Sequence, residues 1–438
     1  MGAHTLIFTT IAGIKALTLV FFHSKFNTFA RSKRMTVQIA IVVQRYGTEI
    51  IGGAEIHARQ VAEQLQRVLG WQVDVYTTTA KEYSTWANSY DAGLEVIQGV
   101  RVHRFDSRFQ RAKFFGIFDR LVGPWLPRLR RRAWTRPLAV MLETLWILFQ
   151  GPYCPELLTE LGRASERYQK IIFMTYLYYP TLAGVSRFKE KAILIPLAHE
   201  EPAFHFLIVE RMLRSVRSML TNTKPEELLV RSKLNGASVR IDQAGVGFDE
   251  TVYVPRPDPP SCQASPYVLY LGRISAGKGV AQLVSWFEQL GGDERFRSLR
   301  LVLAGHLEDS VTIPKDPRFE YRGFVSEAEK LLLMRDAVAV VNPSAHESLS
   351  LIVIEALALK VPVLVNAHCD VLRYYTEEVS TAFGFRDFES FTAVLHKVIA
   401  TNWRSEQKRK DLDEARAWAL KMFSWSRILS VFDQQVRS

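Results

Sequence analysis

The sequence predicts an α/β protein made of two parallel-sheet halves. Three observations carry this expectation. A strand–loop–helix–strand alternation runs from Val37 to Thr77, the same alternation restarts at Tyr267, and the segment Tyr253–Pro266 between them holds five prolines in fourteen residues. Proline fixes φ and removes a backbone donor, so such a segment is a hinge and not a core element. At 438 residues the chain is long enough for two or three cores. A composition of 48% apolar and 23% charged residues excludes a disordered chain, a collagen, a coiled coil and a polytopic membrane protein.

The elements follow in order. Val37–Val43 is a short apolar run, read as a buried strand. Gly47, Gly52 and Gly53 mark the loop after it. Ala54, Ile56, Ala58, Val61, Ala62, Leu65 and Val68 then recur at helical spacing, and Trp71–Thr77 is the next strand. This alternation argues a parallel sheet. It recurs at Ile171–Met174, Ala192–Leu197, Met219–Thr221 and Val239–Gln243. After the hinge, strands are expected at Tyr267–Leu271, Leu301–Ala304, Ala337–Val341 and Val361–Val365, with helices from about Val280 and about Leu349.

Charge is unevenly distributed. The net charge is +11, yet residues 1–35 carry five Lys or Arg and no acid, and residues 101–136 carry eleven against Asp106 and Asp119. The remainder is slightly acidic, unlike a protein that coats nucleic acid. Thr5–Phe22 is mostly apolar, but its 18 residues are about the minimum to span a bilayer and Lys15 sits near the middle. It reads either as a signal anchor, with the basic cluster after it keeping the body cytoplasmic, or as sequence ahead of a natural start at Met35. Three distant cysteines (Cys154, Cys262, Cys369) build neither a disulfide framework nor a zinc site, so a reducing compartment is expected.

The most informative stretch is Asn342–Val365. Between Ser348 and Leu359 only Ser348, Ser350 and Glu355 are polar, so the helix is buried and Glu355 needs a partner. Glu347 lies eight residues earlier, at the helix mouth, where the amides of Leu349 to Leu351 form a natural phosphate seat. The bland alternative is that Glu347 caps the helix and Glu355 meets a core arginine. In Tyr270–Gly279, Arg273 and Lys278 follow a strand in a glycine-rich loop, at the sheet end where α/β proteins bind ligands. Two fixed cations suit a diphosphate, although solvated surface charge is the competing reading. Gly272 to Lys278 fits a P-loop, but Gly279 stands where Ser or Thr would hold magnesium, which disfavours a nucleotide hydrolase. Gly245-Val-Gly-Phe-Asp249 only half matches a dinucleotide fingerprint.

Arg273 and Lys278, followed some seventy residues later by Glu347-x7-Glu355, resemble glycosyltransferase family 4, the retaining, GT-B-fold nucleotide-sugar enzymes within glycosyl transferases group 1. Ile50–Glu55, Phe173–Val185, Ile195–Ala203, Gln243–Asp249 and Phe423-Ser-Trp425 are similar to other segments of that family, in order. The resemblance implies two Rossmann-like domains facing across a cleft: residues 36–252 for the acceptor, 267–424 for the donor, a hinge at 253–266 and a C-terminal helix, 425–438, crossing back. It implies that Arg273 and Lys278 hold the donor diphosphate, that Glu355 takes the ribose hydroxyls and that Glu347 sits beside the donor sugar. Ser348, Leu349, Ser350 and Leu351 would add to the phosphate seat, Gly52 and Gly53 would let the first domain approach the phosphate, and His199 would face the reacting sugar. His205 is a weaker rival, and a plain hydrogen bond from His199 to Glu200 or Glu201 is the competing reading.

No Asp-x-Asp ends a strand, so metal-independent transfer without a cofactor is expected; Asp411-Leu-Asp413 reads as a solvated helix face. The expected partners are a nucleotide sugar, UDP- or GDP-linked, and a glycan or lipid-linked acceptor in polysaccharide or cell-surface glycan synthesis. Rivals are a silent GT-B-like binding module and a nucleotide-sugar epimerase. Asn366-Ala-His-Cys-Asp370 departs from the family pattern. So does the basic band, in which aromatic residues are interleaved with the charges. It suggests an anionic membrane surface, against a basic loop with its aromatics in the core; nucleic acid is not expected, since no recognition motif is present.

Overall fold

Strand β1 (Gln38–Val42) opens the first sheet of the computed structural model, which describes residues 37–50, 52–256 and 266–438. The proposed N-terminal extension, Ile51, Cys262 and most of the proline segment lie outside the described residues. With β1 come β2 (Gln72–Thr78), β3 (Gly93–Ile97), β4 (Val100–Phe105), β5 (Lys170–Met174), β6 (Ala192–Ile195), β7 (Ser218–Thr221) and β8 (Arg240–Gln243), in the spatial order β3-β4-β2-β1-β5-β6-β7-β8. All pairs are parallel except β3 with β4. The second sheet is parallel throughout, β9 (Tyr267–Leu271), β10 (Arg300–Ala304), β11 (Phe319–Tyr321), β12 (Ala339–Asn342), β13 (Val363–Asn366) and β14 (Ala382–Phe385), in the order β11-β10-β9-β12-β13-β14. Central strands such as β9 and β12 are buried along their whole length, as expected of strands covered by helices on both faces. Together these are the two parallel-sheet domains that the alternation predicts.

Several details differ from the sequence expectation. The sequence reading gave no strand at β3, β11 or β14, and β4 lies inside the basic band. Two of the band's cations are therefore structural: Arg101 bonds Asp74 at 2.5 Å, and buried Arg104 binds Glu95 and the carbonyl of Tyr46. β6 ends at Ile195 because Leu197 takes a positive φ of 52°. Asp411 is buried against Lys408 and Gln407 instead of lying on a solvated face.

The final helix, Trp425–Arg437, packs on the first domain. Phe248 donates its amide to Phe423 O at 3.0 Å, and Arg427 bonds the carbonyls of Gln243 at 3.1 Å and Met422 at 2.8 Å. The Gly245–Asp249 segment seats this helix: a Cβ on Gly247 would lie 2.6 Å from Trp425. That contact, and not a dinucleotide, accounts for its glycines.

The rest of the band forms three short helical pieces, Phe115–Val122, Leu126–Arg131 and Ala133–Thr135, ahead of the helix Arg136–Gln150. Its aromatics divide. Leu126 is buried, and Phe105, Phe115 and Phe118 pack on the core, whereas Phe109, Phe114, Leu121, Trp125 and Trp134 are exposed. Among the described residues no helix is long and apolar enough to cross a membrane.

Candidate functional site

The carboxyl-end loops of the two sheets meet. Asn222 and Thr223, after β7, bond Ser348 Oγ and O at 3.4 and 3.3 Å. His199, after β6, lies with its ring centroid 5.6 Å from that of His346. Arg273, after β9, reaches the ring of Tyr83 in the loop after β2, at 5.1 Å.

On the second-domain side, Gly279 starts the helix Val280–Gln289 with a φ of 75°, and a Cβ there would lie 2.4 Å from Pro343 O. Only glycine fits, which explains why the near-match to a P-loop lacks its hydroxyl residue. The same turn brings Lys278 Nζ to Glu347 Oε1 at 2.8 Å. The helix that follows begins at Leu351, two residues later than its apolar pattern suggests, because Ser350 takes a φ of 62° with its hydroxyl held by Asn342 Nδ2 at 2.8 Å. The turn leaves the amides of Ser348, Leu349, Ser350 and Leu351 donating to no group among the described residues. Four unpaired donors at a helix mouth suit an anion. Tyr375 OH bonds Leu349 O and steadies the turn from behind.

Glu355 is buried on that helix and accepts from Tyr253 OH at 2.6 Å and Lys330 Nζ at 3.0 Å. Glu355 thus meets a lysine and a tyrosine, not the core arginine of the bland alternative. Burial alone would lower the Lys330 pKa, but Glu355 and Glu327 outweigh it and the pKa rises. Arg273 stays half exposed and pairs only loosely with Glu308, at 3.6 Å.

On the first-domain side, Gly52 and Gly53 begin the helix Gly53–Leu69. A Cβ on Gly52 would strike Glu55 at 2.0 Å, so its bareness serves the buried Glu55–Arg45 pair, whereas Gly53 has nothing within 4 Å. His199 Nε2 lies 3.4 Å from Glu201 Oε2, and Tyr176 OH bonds the other oxygen of that carboxylate. Burial would lower the His199 pKa, but the hydrogen bond and charge of Glu201 raise it above the ordinary 6.5; the charges of Lys278 and Glu347 also reach it. Beneath this loop, fully buried Glu226 accepts from Ala198 N at 2.7 Å and Asn222 N at 2.6 Å. Burial pushes its pKa up to about 8 despite those bonds. His205 is tied to Glu200 and, at 2.6 Å, to Lys233.

The predicted residues therefore fall into groups. Lys278, Glu347, the Ser348–Leu351 turn and His199 come together. Glu355 keeps its own partners, and Arg273 is turned to Tyr83. The competing reading of His199, a contact with Glu201, is present, and its ring also lies beside His346 of the second domain. Sequence reasoning missed Tyr176, Glu226, Asn222 and Tyr83, and named Glu201 only as a competing partner of His199; Tyr176, Asn222 and Tyr83 stand in loops without a spacing pattern. Glu226 carried a faint signal, as a carboxylate in the first turn of a helix capped by Thr223.

Residues 256–417 match the family model described as glycosyl transferases group 1. No curated protein matches the chain. Among solved structures, the chain is similar to sucrose-phosphate synthase from Thermosynechococcus elongatus, at 18% identity and a TM-score of 0.65, over 92% of this chain and 98% of that one. It is also similar to Anabaena HepE in complex with UDP and glucose, at 15% and 0.62 over 92% and 99%. A third likeness is to trehalose 6-phosphate synthase from Burkholderia multivorans, at 11% and 0.60 over 92% and 98%. At these identities the likeness establishes the fold, GT-B.

Proposed function

We propose, from the premise that the second domain is a glycosyl transferases group 1 domain, that the protein moves a sugar from a nucleotide sugar to a glycan or lipid-linked acceptor, in polysaccharide or cell-surface glycan synthesis. The observation that carries this reading is the row of amides from Ser348 to Leu351, unpaired among the described residues, beside the Lys278–Glu347 pair, with His199 opposite. Lys278 has three N–H donors and spends one on Glu347, leaving two for a diphosphate. Arg273, loosely paired, swings from Tyr83 to the same group. Glu355 takes the ribose hydroxyls, already oriented by Tyr253 and Lys330. The Glu347-x7-Glu355 spacing is what supports the narrower family 4 reading.

The reaction breaks the bond from C1 to the diphosphate oxygen and forms one from C1 to the acceptor oxygen on the same face. Charge grows on the departing diphosphate, where Lys278, Arg273 and the amides wait without reorganising; donors of this kind carry most of the rate enhancement. The acceptor hydroxyl passes its proton to the departing phosphate oxygen. Glu347 holds donor-sugar hydroxyls, and His199, oriented by Glu201, hydrogen-bonds the sugar from the other side. Fixed cations take the part a divalent ion would play, so transfer proceeds without added metal.

The test is a panel of UDP- and GDP-sugars in chelator. Release of nucleoside diphosphate and transfer with retained configuration are expected. Nucleotide binding without turnover of any donor would favour a silent module, and interconversion of free sugars an epimerase.

An anionic membrane surface is the finer reading of the basic band. Ile117, Leu121, Trp125 and Trp134 are exposed among Arg120, Arg128, Arg131 and Arg132, a mixture that suits anionic headgroups at the cytoplasmic face. Charge reversal within Arg128–Arg132 is expected to abolish co-sedimentation with phosphatidylglycerol vesicles; unchanged co-sedimentation would remove the idea.

A further inference from the structure

Three guanidinium groups surround one aromatic ring in the cleft. The Cζ atoms of Arg111 and Arg273 lie 5.1 Å from the Tyr83 ring centroid and that of Arg45 lies at 6.0 Å. They arrive from separate loops and two domains, so the grouping is a product of tertiary structure. Two carboxylates answer three guanidinium groups. Arg45 has buried Glu55 at 2.8 Å, and Arg273 has Glu308 at 3.6 Å. Arg111 has the carbonyl of Gln150 at 3.5 Å, and among the described residues no carboxylate within 4 Å. Beside the cluster, Trp86 packs against Tyr83 and Tyr178 with centroids 6.3 and 5.2 Å away. Trp86 is fully buried, yet its indole N–H has no acceptor among the described residues. A third like charge, on Arg111, left without a counter-charge among the described residues, and a buried donor left unpaired, both cost stability unless a ligand oxyanion answers them.

We infer that the acceptor carries a phosphate or diphosphate group, and that Arg111 and Arg45, beside Tyr83 and Trp86, are its seat. This rests on reading the cleft as a site of sugar transfer: Arg273 then belongs to the donor diphosphate, and the two first-domain arginines, with one carboxylate between them, remain for a second anion. The planar fork of Arg111 pairs with two phosphate oxygens at once, and its place over the Tyr83 ring holds that fork; Arg45, tied to Glu55 and to the carbonyl of Lys81 at 3.0 Å, adds its charge and its remaining N–H groups. The phosphate belongs either to a free sugar phosphate or to a lipid-linked sugar; the chemistry recognised is the same.

The experiment uses the full chain with nucleoside diphosphate present, so that the donor side is filled. Paired probes are added: a hexose and its phosphate, then a short-chain polyprenyl glycoside and the corresponding polyprenyl diphosphate sugar in detergent. Binding is read by melting temperature, and transfer by kcat/KM where a donor is turned over. The phosphorylated member of at least one pair is expected to bind and react about 10- to 100-fold better, the range of one charge-assisted contact. The pair that responds identifies the source. Arg111→Gln is expected to raise the KM for the phosphorylated acceptor by a similar factor, with a far smaller shift in the donor KM, and Arg111→Lys to recover part of the loss. Equal use of both members of each pair, or an Arg111→Gln effect equal for donor and acceptor, would overturn the inference. Phosphate-dependent binding with no donor turned over would sustain the anion seat while ending the transfer reading. Donor hydrolysis with indifference to phosphate would do the reverse.

Discussion

The two sides of the cleft are built in opposite ways. The second-domain side is one piece of chain: Glu347, the Ser348–Leu351 turn and Glu355 follow one another, and only Lys278 and Arg273 come from elsewhere. The first-domain side is assembled from the loops after β1, β2, β5, β6 and β7, and rests on a buried carboxylate, Glu226, that links two of them. A contiguous site depends on its own charges. An assembled site depends on what holds its loops.

That contrast can be broken or sharpened by mutation. The largest effect is expected on the contiguous side. Lys278→Ala should lower turnover about 10²- to 10³-fold, the range for one donor aimed at developing charge, as measured by nucleoside diphosphate release; a loss under tenfold would mean that the diphosphate lies elsewhere. Next comes Glu226→Gln, which touches no substrate. It replaces one of two acceptors with a donor facing an N–H, at a cost of about 1–3 kcal/mol in denaturant unfolding, and should lower turnover while sparing nucleotide affinity. Unaltered stability would refute the dependence of the assembled side on its support.

A smaller, discriminating effect separates Glu355 from His199. Glu355→Gln should weaken nucleotide binding about tenfold by calorimetry, whereas His199→Ala should act on turnover. Equal losses of binding would erase the division of labour.

The smallest effect is one of pH. Burial raises Glu226 from 4.5 to about 8, so its contribution to stability is fully present below 4.5 and is lost as pH rises through about 8. His199, also raised, contributes below 6.5 and loses that contribution as pH rises through its folded-state value. Denaturation midpoints from pH 4.5 to 9 should therefore fall less steeply in Glu226→Gln than in the unmutated protein, and parallel curves would contradict the burial argument.

What was legible in the sequence follows the same contrast. The strands announced themselves as apolar runs because both faces are covered, and most boundaries shifted by only one or two residues. The contiguous side was legible because an acid in an apolar helix is costly wherever that helix goes. Its exact start was not, since the positive φ of Ser350 is imposed by Asn342 from the neighbouring strand end. The assembled side was nearly silent. Tyr83, Glu201 and Asn222 are ordinary loop residues until the fold brings them to His199, Arg273 and Ser348. Strand β4 hid inside the basic band because Arg101 and Arg104 look like solvated charge, yet they answer Asp74 and Glu95 across the sheet.

The returning C-terminal helix has a mechanical consequence. The backbone passes between the sheets twice, once near Tyr253 and once at Ser424, and the amide of Phe248 fastens the neighbourhood of the first passage to Phe423 at the second. Two parallel cords tied together act as an axle: they let the lobes swing about one line and resist their sliding. A chain severed between Phe423 and Trp425 would keep both lobes but exchange that axle for a single tether, and the alignment across the cleft would go with it.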